Sequence, residues 1–332
     1  MIYRAPEYTK EFHCIASDCR DSCCIGWEIS VDEETMQKYK TERGTLFSDI
    51  RASLSADGCF LLGENKRCPH LLKNGLCRII CEAGEEALCD ICREHPRFYN
   101  YYGGICEWGI GLSCESAAQR ILSAENASVF YEKETDEAEE EGENDALFSL
   151  LFSERDKMLT LALNPDIQTE EKLLQLEKWG DALQDFIDNI DICKEKFAFS
   201  HDFDKKERFI TKERFMRYKE ILEGLEPLAK GWQARCASLF CPEKMAEGAP
   251  FFSRLLAYFI YRYFLTYAME GDCMAGIGFA LFSVFMIYAL CDTEQRKTPL
   301  QIAEAAKDFS KELEYSEENR DAVLDAFSAF SC

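Results

Sequence analysis

The chain has 332 residues, 47% apolar and 30% charged, a globular composition long enough for two cores and unlike that of a disordered or fibrous chain. Its formal charge of −23 repels phosphate backbones and anionic lipid headgroups, so no nucleic-acid partner is expected. Met1 to Glu7 carry no charged-then-apolar leader, which predicts a cytoplasmic, reducing compartment where thiols stay reduced or bind metal.

Eighteen cysteines in such a compartment need a reason, and twelve of them fall at or before Cys114. Cys193, Cys236, Cys241, Cys273, Cys291 and Cys332 are scattered and read as small buried apolar side chains. The first cluster is Cys14, Cys19, Cys23 and Cys24. A helix over Arg20 to Cys24 puts Cys19 and Cys23 on one face. Cys24 then points roughly 100° away, at ~3.6 residues per turn, which sends the adjacent sulfurs to different metal atoms or leaves one as a supporting thiol. Ser30 to Glu33 reads as a capping box that opens a helix reaching Tyr39.

The second cluster is Cys68-Pro69-His70 with Asn74-Gly75-Leu76-Cys77, where the Asn-Gly turn folds the two thiolates toward each other. The third is Cys89-x2-Cys92, running on into His95-Pro96-Arg97, and the fourth is Leu112-Ser113-Cys114. Thiolates are soft and anionic, so they suit zinc or an iron–sulfur cluster rather than magnesium or calcium. Spacing does not separate a four-thiolate zinc site from a cluster with the same ligands. The candidates exceed one tetrahedral site, so either two sites exist or some cysteines are bystanders, and several are expected to converge on one buried centre. His13, His70 and His95 stand beside cysteines as ligands, supporting residues or surface groups. Tyr99, Tyr101 and Tyr102 read as pocket residues or core aromatics.

Residues 132–145 carry nine acids and one lysine and predict a mobile linker between a cysteine-rich module, 1–131, and a helical domain, 146–332. Apolar residues at threes and fours predict helices over 146–163 and 170–190. Met274 to Cys291 is free of charge and pairs with the aromatic segment Phe251 to Met269, which holds Arg254 and Arg262. A buried helical hairpin explains both without a membrane span. Pro299 opens a helix with Ile302, Ala306, Phe309 and Leu313 on its apolar face, and Ser316 caps a last one running to Phe330. Period-two alternation is scarce, so the expected fold class is mainly α: a cysteine-rich metal or iron–sulfur module followed by an all-helical domain.

In order along the chain stand Phe12-x-Cys14-x4-Cys19-x3-Cys23-Cys24-x-Gly26-Trp27, Cys68-Pro69-x2-Leu72-x2-Gly75-Leu76-Cys77-Arg78-Ile79, Cys92-Arg93-x2-Pro96-Arg97 and Leu112-Ser113-Cys114-Glu115. This series resembles the flagellin lysine N-methylase family, which is related to a wider group of zinc- or iron-chelating cysteine proteins. The resemblance implies methylation of flagellin lysines with S-adenosylmethionine as donor and an iron–sulfur cluster as cofactor, 4Fe-4S favoured and zinc the alternative. The cysteines that match are Cys14, Cys19, Cys23, Cys24, Cys68, Cys77, Cys92 and Cys114, while Cys59, Cys81, Cys89 and Cys106 look additional. Glu115 stands where the family usually has proline, and Trp108 where a basic residue is expected.

Neither a glycine-rich strand–helix nucleotide element nor the CxxxCxxC loop of radical enzymes is present, so the donor is expected at the cluster or in the seam between domains. No catalytic residue is assigned from sequence. A non-catalytic zinc- or iron-binding module and an iron–sulfur redox protein are the other function classes the residues allow.

Overall fold

The computed structural model describes residues 1–135, 146–189, 197–199, 207–245 and 250–328. Strand β1 (Ile2–Pro6) precedes an irregular cysteine-bearing stretch and four short helices, α1 (Glu33–Thr41), α2 (Thr45–Ala52), α3 (Arg78–Ala83) and α4 (Asp90–Glu94). A hairpin of β2 (Arg97–Tyr102) and β3 (Ile105–Ile110) leads into α5 (Glu115–Ser123), and β4 (Phe130–Glu134) follows. The remaining elements are helices: α6 (Ala146–Leu163), α7 (Thr169–Asp188), α8 (Lys212–Gly224), α9 (Trp232–Ser238), α10 (Pro250–Met269), α11 (Cys273–Thr293), α12 (Pro299–Glu314) and α13 (Glu317–Ser328). The protein is mainly helical, as expected.

Local chemistry explains the helix starts. Thr298 and Gln301 form a reciprocal capping box ahead of Pro299. The Ser316 hydroxyl accepts the Asn319 N–H at 3.1 Å. In α1 the cap is Asp32, accepting from Thr35 N–H at 2.8 Å, rather than Ser30, so the helix begins two residues later than the sequence suggests. Cys19 to Cys24 form turns and not the expected helix, so the face-sharing argument for their sulfurs does not hold.

A four-stranded sheet, ordered β2-β3-β1-β4, is the main departure from expectation. β1 runs parallel to β3 and antiparallel to β4, and β2 and β3 pair antiparallel across a two-residue Gly103-Gly104 turn in which both glycines have positive φ. The strands lack a period-two signature for physical reasons. β3 is buried or half-buried throughout, β2 is an aromatic run, and β1 has five residues ending in proline. Glu132, the first residue of the expected linker, pairs with Arg4 inside this sheet. Residues 136–145 of that linker, the end of the 170–190 helix, Cys193, Cys332 and Phe330 lie outside the described residues.

Two cores form. The small one gathers Ile29, Tyr39, Ile50, Phe60, Ile79 and Leu88 around α1 to α4, with the Tyr39 hydroxyl donating to Ala87 O at 2.7 Å. The large one is built on the α10–α11 hairpin and takes in Tyr8, Ile110, Leu112 and Ile121, so the sheet and α5 are continuous with the helical layer. α11 is long and apolar enough to cross a membrane, but 94% of its apolar window is buried inside the protein, as a core helix would be.

Between sheet and helices sits a buried ion cluster. Glu107 of β3, fully buried, accepts from Arg4 of β1 and from Arg155 of α6, each at 2.8 Å, and Arg4 also reaches Asp156 at 2.8 Å. Removing one partner leaves a buried charge uncompensated. Glu107→Ala should therefore lose about 3–5 kcal/mol of stability, read as a lower urea midpoint. A second weak point is Gly276, where an added Cβ would stand 2.8 Å from Phe264 Cα, a backbone atom that cannot turn aside. Gly276→Ala should cost about 1–3 kcal/mol by prising the hairpin apart.

Candidate functional site

The cysteine-bearing turn from Cys19 to Cys24 is held from two sides. Glu115, at the start of α5, accepts from the Arg20 backbone N–H and from its Nε, both at 2.8 Å, and lies 3.7 Å from Cys19 Sγ. Burial opposes ionisation of this carboxyl, but the Arg20 bonds outweigh it and keep it below its usual range. From α12, Lys307 and Lys311 both donate to Asp21, the latter at 2.6 Å, and Glu304 pairs with Arg20 at 2.7 Å. The departure from the family's proline at position 115 thus supplies a positioning carboxylate that motif reading does not reveal.

Several sulfurs sit in cradles of backbone N–H groups. Cys77 and Cys114 precede α3 and α5 and accept from the N–H groups two and three residues on, Ile79 and Ile80 in one case and Ser116 and Ala117 in the other. Cys68 accepts from His70, Cys19 from Asp21, and Cys14 from Ala16 at 3.3 Å. Such bonds favour the thiolate, but burial outweighs them at Cys19, Cys68, Cys77 and Cys114, whose thiols are pushed up.

Two thiol pairs touch. Cys23 donates to Cys24, which is thereby pulled down, with Arg67 assisting, while Cys23 is pushed up. Cys92 is likewise pushed up against Cys89, which is pulled down. The expected divergence of Cys23 and Cys24 is therefore replaced by direct contact, because the segment is a turn. No disulfide joins any cysteine among the described residues.

These contacts sort the cysteines into two neighbourhoods. Burial pushes Cys114 up, and neighbouring Cys19 and Cys14 add to it; Cys23 feels Cys14 and Cys114 in the same way. On the other side, Cys68 feels Cys24, Cys77 and Cys89, and Cys92 feels Cys24 and Cys68. Cys89 joins the second set although it lies outside the family pattern. Convergence of four sulfurs on one centre is not seen. Among the described residues no three His, Cys, Asp or Glu side chains stand at ion-binding distance. Cys81 is exposed and Cys106 is buried in β3. His13 is exposed, and His70 is buried with Nε2 2.9 Å from the Ser53 hydroxyl.

Beside the first neighbourhood opens a cleft of about 390 Å³. Its walls bring together Trp27, His95, Pro96, Arg97 and Ser113 from the cysteine motifs with Arg262 of α10 and with Glu314 and Tyr315 at the end of α12. Trp27 and Tyr315 stack at 5.1 Å, and His95 lies 5.9 Å from Trp27 and 6.0 Å from Tyr315. The Tyr315 hydroxyl is 3.2 Å from His95 Nδ1. Carboxylates line the cleft too. Glu94 accepts the Tyr99 hydroxyl at 2.8 Å, and buried Glu314 pairs with Arg262 at 2.9 Å. Arg262 therefore answers a core carboxylate and reaches the cleft as well. Of the three tyrosines after Arg97, Tyr99 lines the cleft, Tyr101 is exposed, and Tyr102 packs toward Thr266.

Burial, with Lys311 nearby, holds the His95 imidazolium down to about 4, so the ring is neutral at physiological pH. The sign of the linkage follows. Below about 6.5 an unfolded chain takes up a proton that folded His95 refuses until about 4, so stability contributed by the neutral ring is whole above that window and falls as pH drops through it. The His95 resonances in the folded protein should titrate with a midpoint near 4. His95→Phe should lose less stability than the parent between pH 6.5 and 4.5, read as urea midpoints.

No family model matches the chain, and no solved structure does. Over 141 residues it is 30% identical to lysine-N-methylases of Salmonella typhimurium and Salmonella choleraesuis, a match covering 39% of this chain and 34% of each relative. Over 143 residues it is 29% identical to the flagellar biosynthetic protein FliU of Salmonella muenchen, 39% of this chain and 82% of that protein. The chain thus spans about a third of the length of the lysine-N-methylases it matches. The order of its cysteines and its curated relatives agree: this chain resembles the flagellin lysine N-methylases.

Proposed function

We propose that the protein is a cytoplasmic protein-lysine N-methyltransferase acting on flagellin, with S-adenosylmethionine as donor and a cysteine-ligated iron–sulfur cluster as cofactor. One observation carries this reading. Residues from separate parts of the family pattern, Trp27, Pro96, Arg97 and Ser113, share a single cleft beside Cys23 and Cys114. That cleft offers aromatic faces and carboxylates, the surroundings that favour an alkylammonium group. The names of the relatives, lysine-N-methylase and a flagellar biosynthetic protein, support the same chemistry.

The cysteine sulfurs suit the cluster as soft donors, and the N–H groups beside Cys77 and Cys114 would support them once a metal displaces their protons. They do not stand in ligating geometry, so binding a cluster requires the sulfurs to close up, and no chemical step is assigned to it. S-adenosylmethionine supplies an electrophilic methyl group on a sulfonium. The chain's own residues prepare the acceptor. A lysine ammonium, with a reference pKa near ~10.4, must lose a proton before its nitrogen can attack. The His95 imidazole in the cleft wall, held down to about 4, is too weak a base to take that proton; it offers a neutral nitrogen that can accept a hydrogen bond from the amine N–H while the proton passes to water. The nitrogen then forms its bond to the methyl carbon as the carbon–sulfur bond breaks, leaving a neutral thioether. Trp27 and Tyr315 hold the cationic product as well as the substrate.

The test uses protein purified without oxygen, with its iron, zinc and sulfide content measured, incubated with S-adenosylmethionine and unmodified flagellin. Lysines should gain single methyl increments by mass spectrometry, and Cys19→Ser with Cys23→Ser should abolish them. His95→Phe, which keeps an aromatic ring but removes the neutral nitrogen acceptor, should raise the KM for flagellin while leaving donor binding unchanged. Full cluster and measurable donor binding without any methyl increment would turn the reading to a metal-binding or redox protein.

A further inference from the structure

A second cleft, of about 340 Å³, shares Trp27 and Tyr315 with the first and runs between the turn holding Asp21 to Trp27 and the helices α9 and α12. We propose, resting on the methyltransferase reading, that this second cleft is the S-adenosylmethionine site. Of the cysteine motifs only the Gly26-Trp27 end of the first reaches here, and α9 and α12 supply most of its charged groups.

Its chemistry matches a zwitterionic nucleoside in three respects. First, aromatic surface lies ready for a purine: Trp27 and Tyr315 are already stacked on each other, and Trp232 stands in the wall under the Arg235 guanidinium, 5.2 Å from its ring centre. Second, Trp232 is 2% exposed, and its indole N–H has no hydrogen-bond partner among the described residues. A buried donor without an acceptor is destabilising, so a ligand acceptor reaching it would recover that loss. Third, charges of both signs face the cleft. Arg235 lies 3.1 Å from Asp308, and Lys311 lies 2.6 Å from Asp21.

Two cations against the three carboxylates Asp21, Asp308 and Glu312 make this wall hostile to a nucleoside triphosphate. They suit a ligand bearing one carboxylate, one ammonium and one sulfonium. Lys311 and Arg235 answer its carboxylate, and Asp308 its ammonium. Glu312 is already committed, accepting the Leu228 and Ala229 N–H groups at 2.7 Å each and so holding the loop ahead of α9 against α12.

The adjacency of the clefts gives the arrangement its use. A donor held on one side of the Trp27–Tyr315 stack and a lysine on the other lie within reach of the same two rings, so ordering those rings by donor binding also shapes the acceptor cleft.

The experiment is isothermal titration of the full-length, cluster-loaded chain with S-adenosylmethionine and S-adenosylhomocysteine, with tryptophan fluorescence as a second readout. Binding should quench Trp27 and Trp232 emission. Asp308→Asn and Lys311→Met should weaken binding at least tenfold with unchanged circular dichroism, whereas Tyr99→Phe in the other cleft should leave it intact. Ultraviolet cross-linking of methyl-labelled donor should place label on Trp232, Trp27 or Tyr315, a readout independent of any variant. Donor binding by the parent that survives both substitutions, label found elsewhere, or equal binding of ATP would overturn the site while leaving the methyltransferase reading standing. No donor binding at all by the folded, cluster-loaded parent would overturn both.

Discussion

Glu107 has no access to water, and a carboxylate in that position persists only because two guanidinium groups from distant parts of the chain surround it. Arg4 arrives from the first strand and Arg155 from the first long helix, so one buried charge set fixes the sheet against the helical layer. The Tyr261 hydroxyl reinforces the same junction, donating to Arg4 O and Trp108 O at 3.1 Å each. Downstream of Glu107 the strand passes directly into Gly111 and Ser113, which line the cleft, and then into Cys114, the last matched cysteine. The geometry around that sulfur is therefore inherited from an ion cluster remote from any chemistry.

α12 is the second fastener. One flank of this helix, buried to half-buried, presents Glu304, Lys307 and Lys311 to the cysteine turn, and its end delivers Glu314 and Tyr315 to the cleft. Glu314 is itself held by Arg262 and by the Tyr263 hydroxyl at 2.6 Å, so the position of Tyr315 is set by the buried hairpin rather than by the cysteine segment. Any ligand in either cleft touches both a thiol-bearing turn and the helical core. That makes the clefts, more than the sulfurs alone, the place where the two parts of the molecule act together.

What the sequence made legible was local. Thr298, Pro299 and Ser316 announced their helices because capping is decided within four residues, and the apolar hairpin announced itself by composition. The sheet was hidden, since a strand covered on both faces or made of aromatics loses its alternation. The segment Arg20 to Cys24 is a turn where local spacing suggests a helix, because its conformation is imposed by Glu115 and α12, partners 95 and 286 residues away that no local pattern names. The same limit applies to the site. Trp27, Pro96 and Arg97 stood in a pattern that could be read, whereas Tyr315 and Trp232 joined them only through packing. Cys89 was set aside by that pattern and is in contact with Cys92 all the same.

The bond between Asp21 and Lys307 also has a meaning in time. The two residues are 286 positions apart, so at about 5–20 residues per second the cysteine turn waits roughly 15–60 s on the ribosome before α12 exists to hold it. Through that interval Cys19, Cys23 and Cys24 belong to an unanchored segment, open to oxidants and to whatever soft ion arrives first. Under the proposed cluster-binding reading, loading the sulfurs is then a matter of order: an ion that binds before α12 is made meets a loose chain, and one that binds afterwards meets a turn already held in shape.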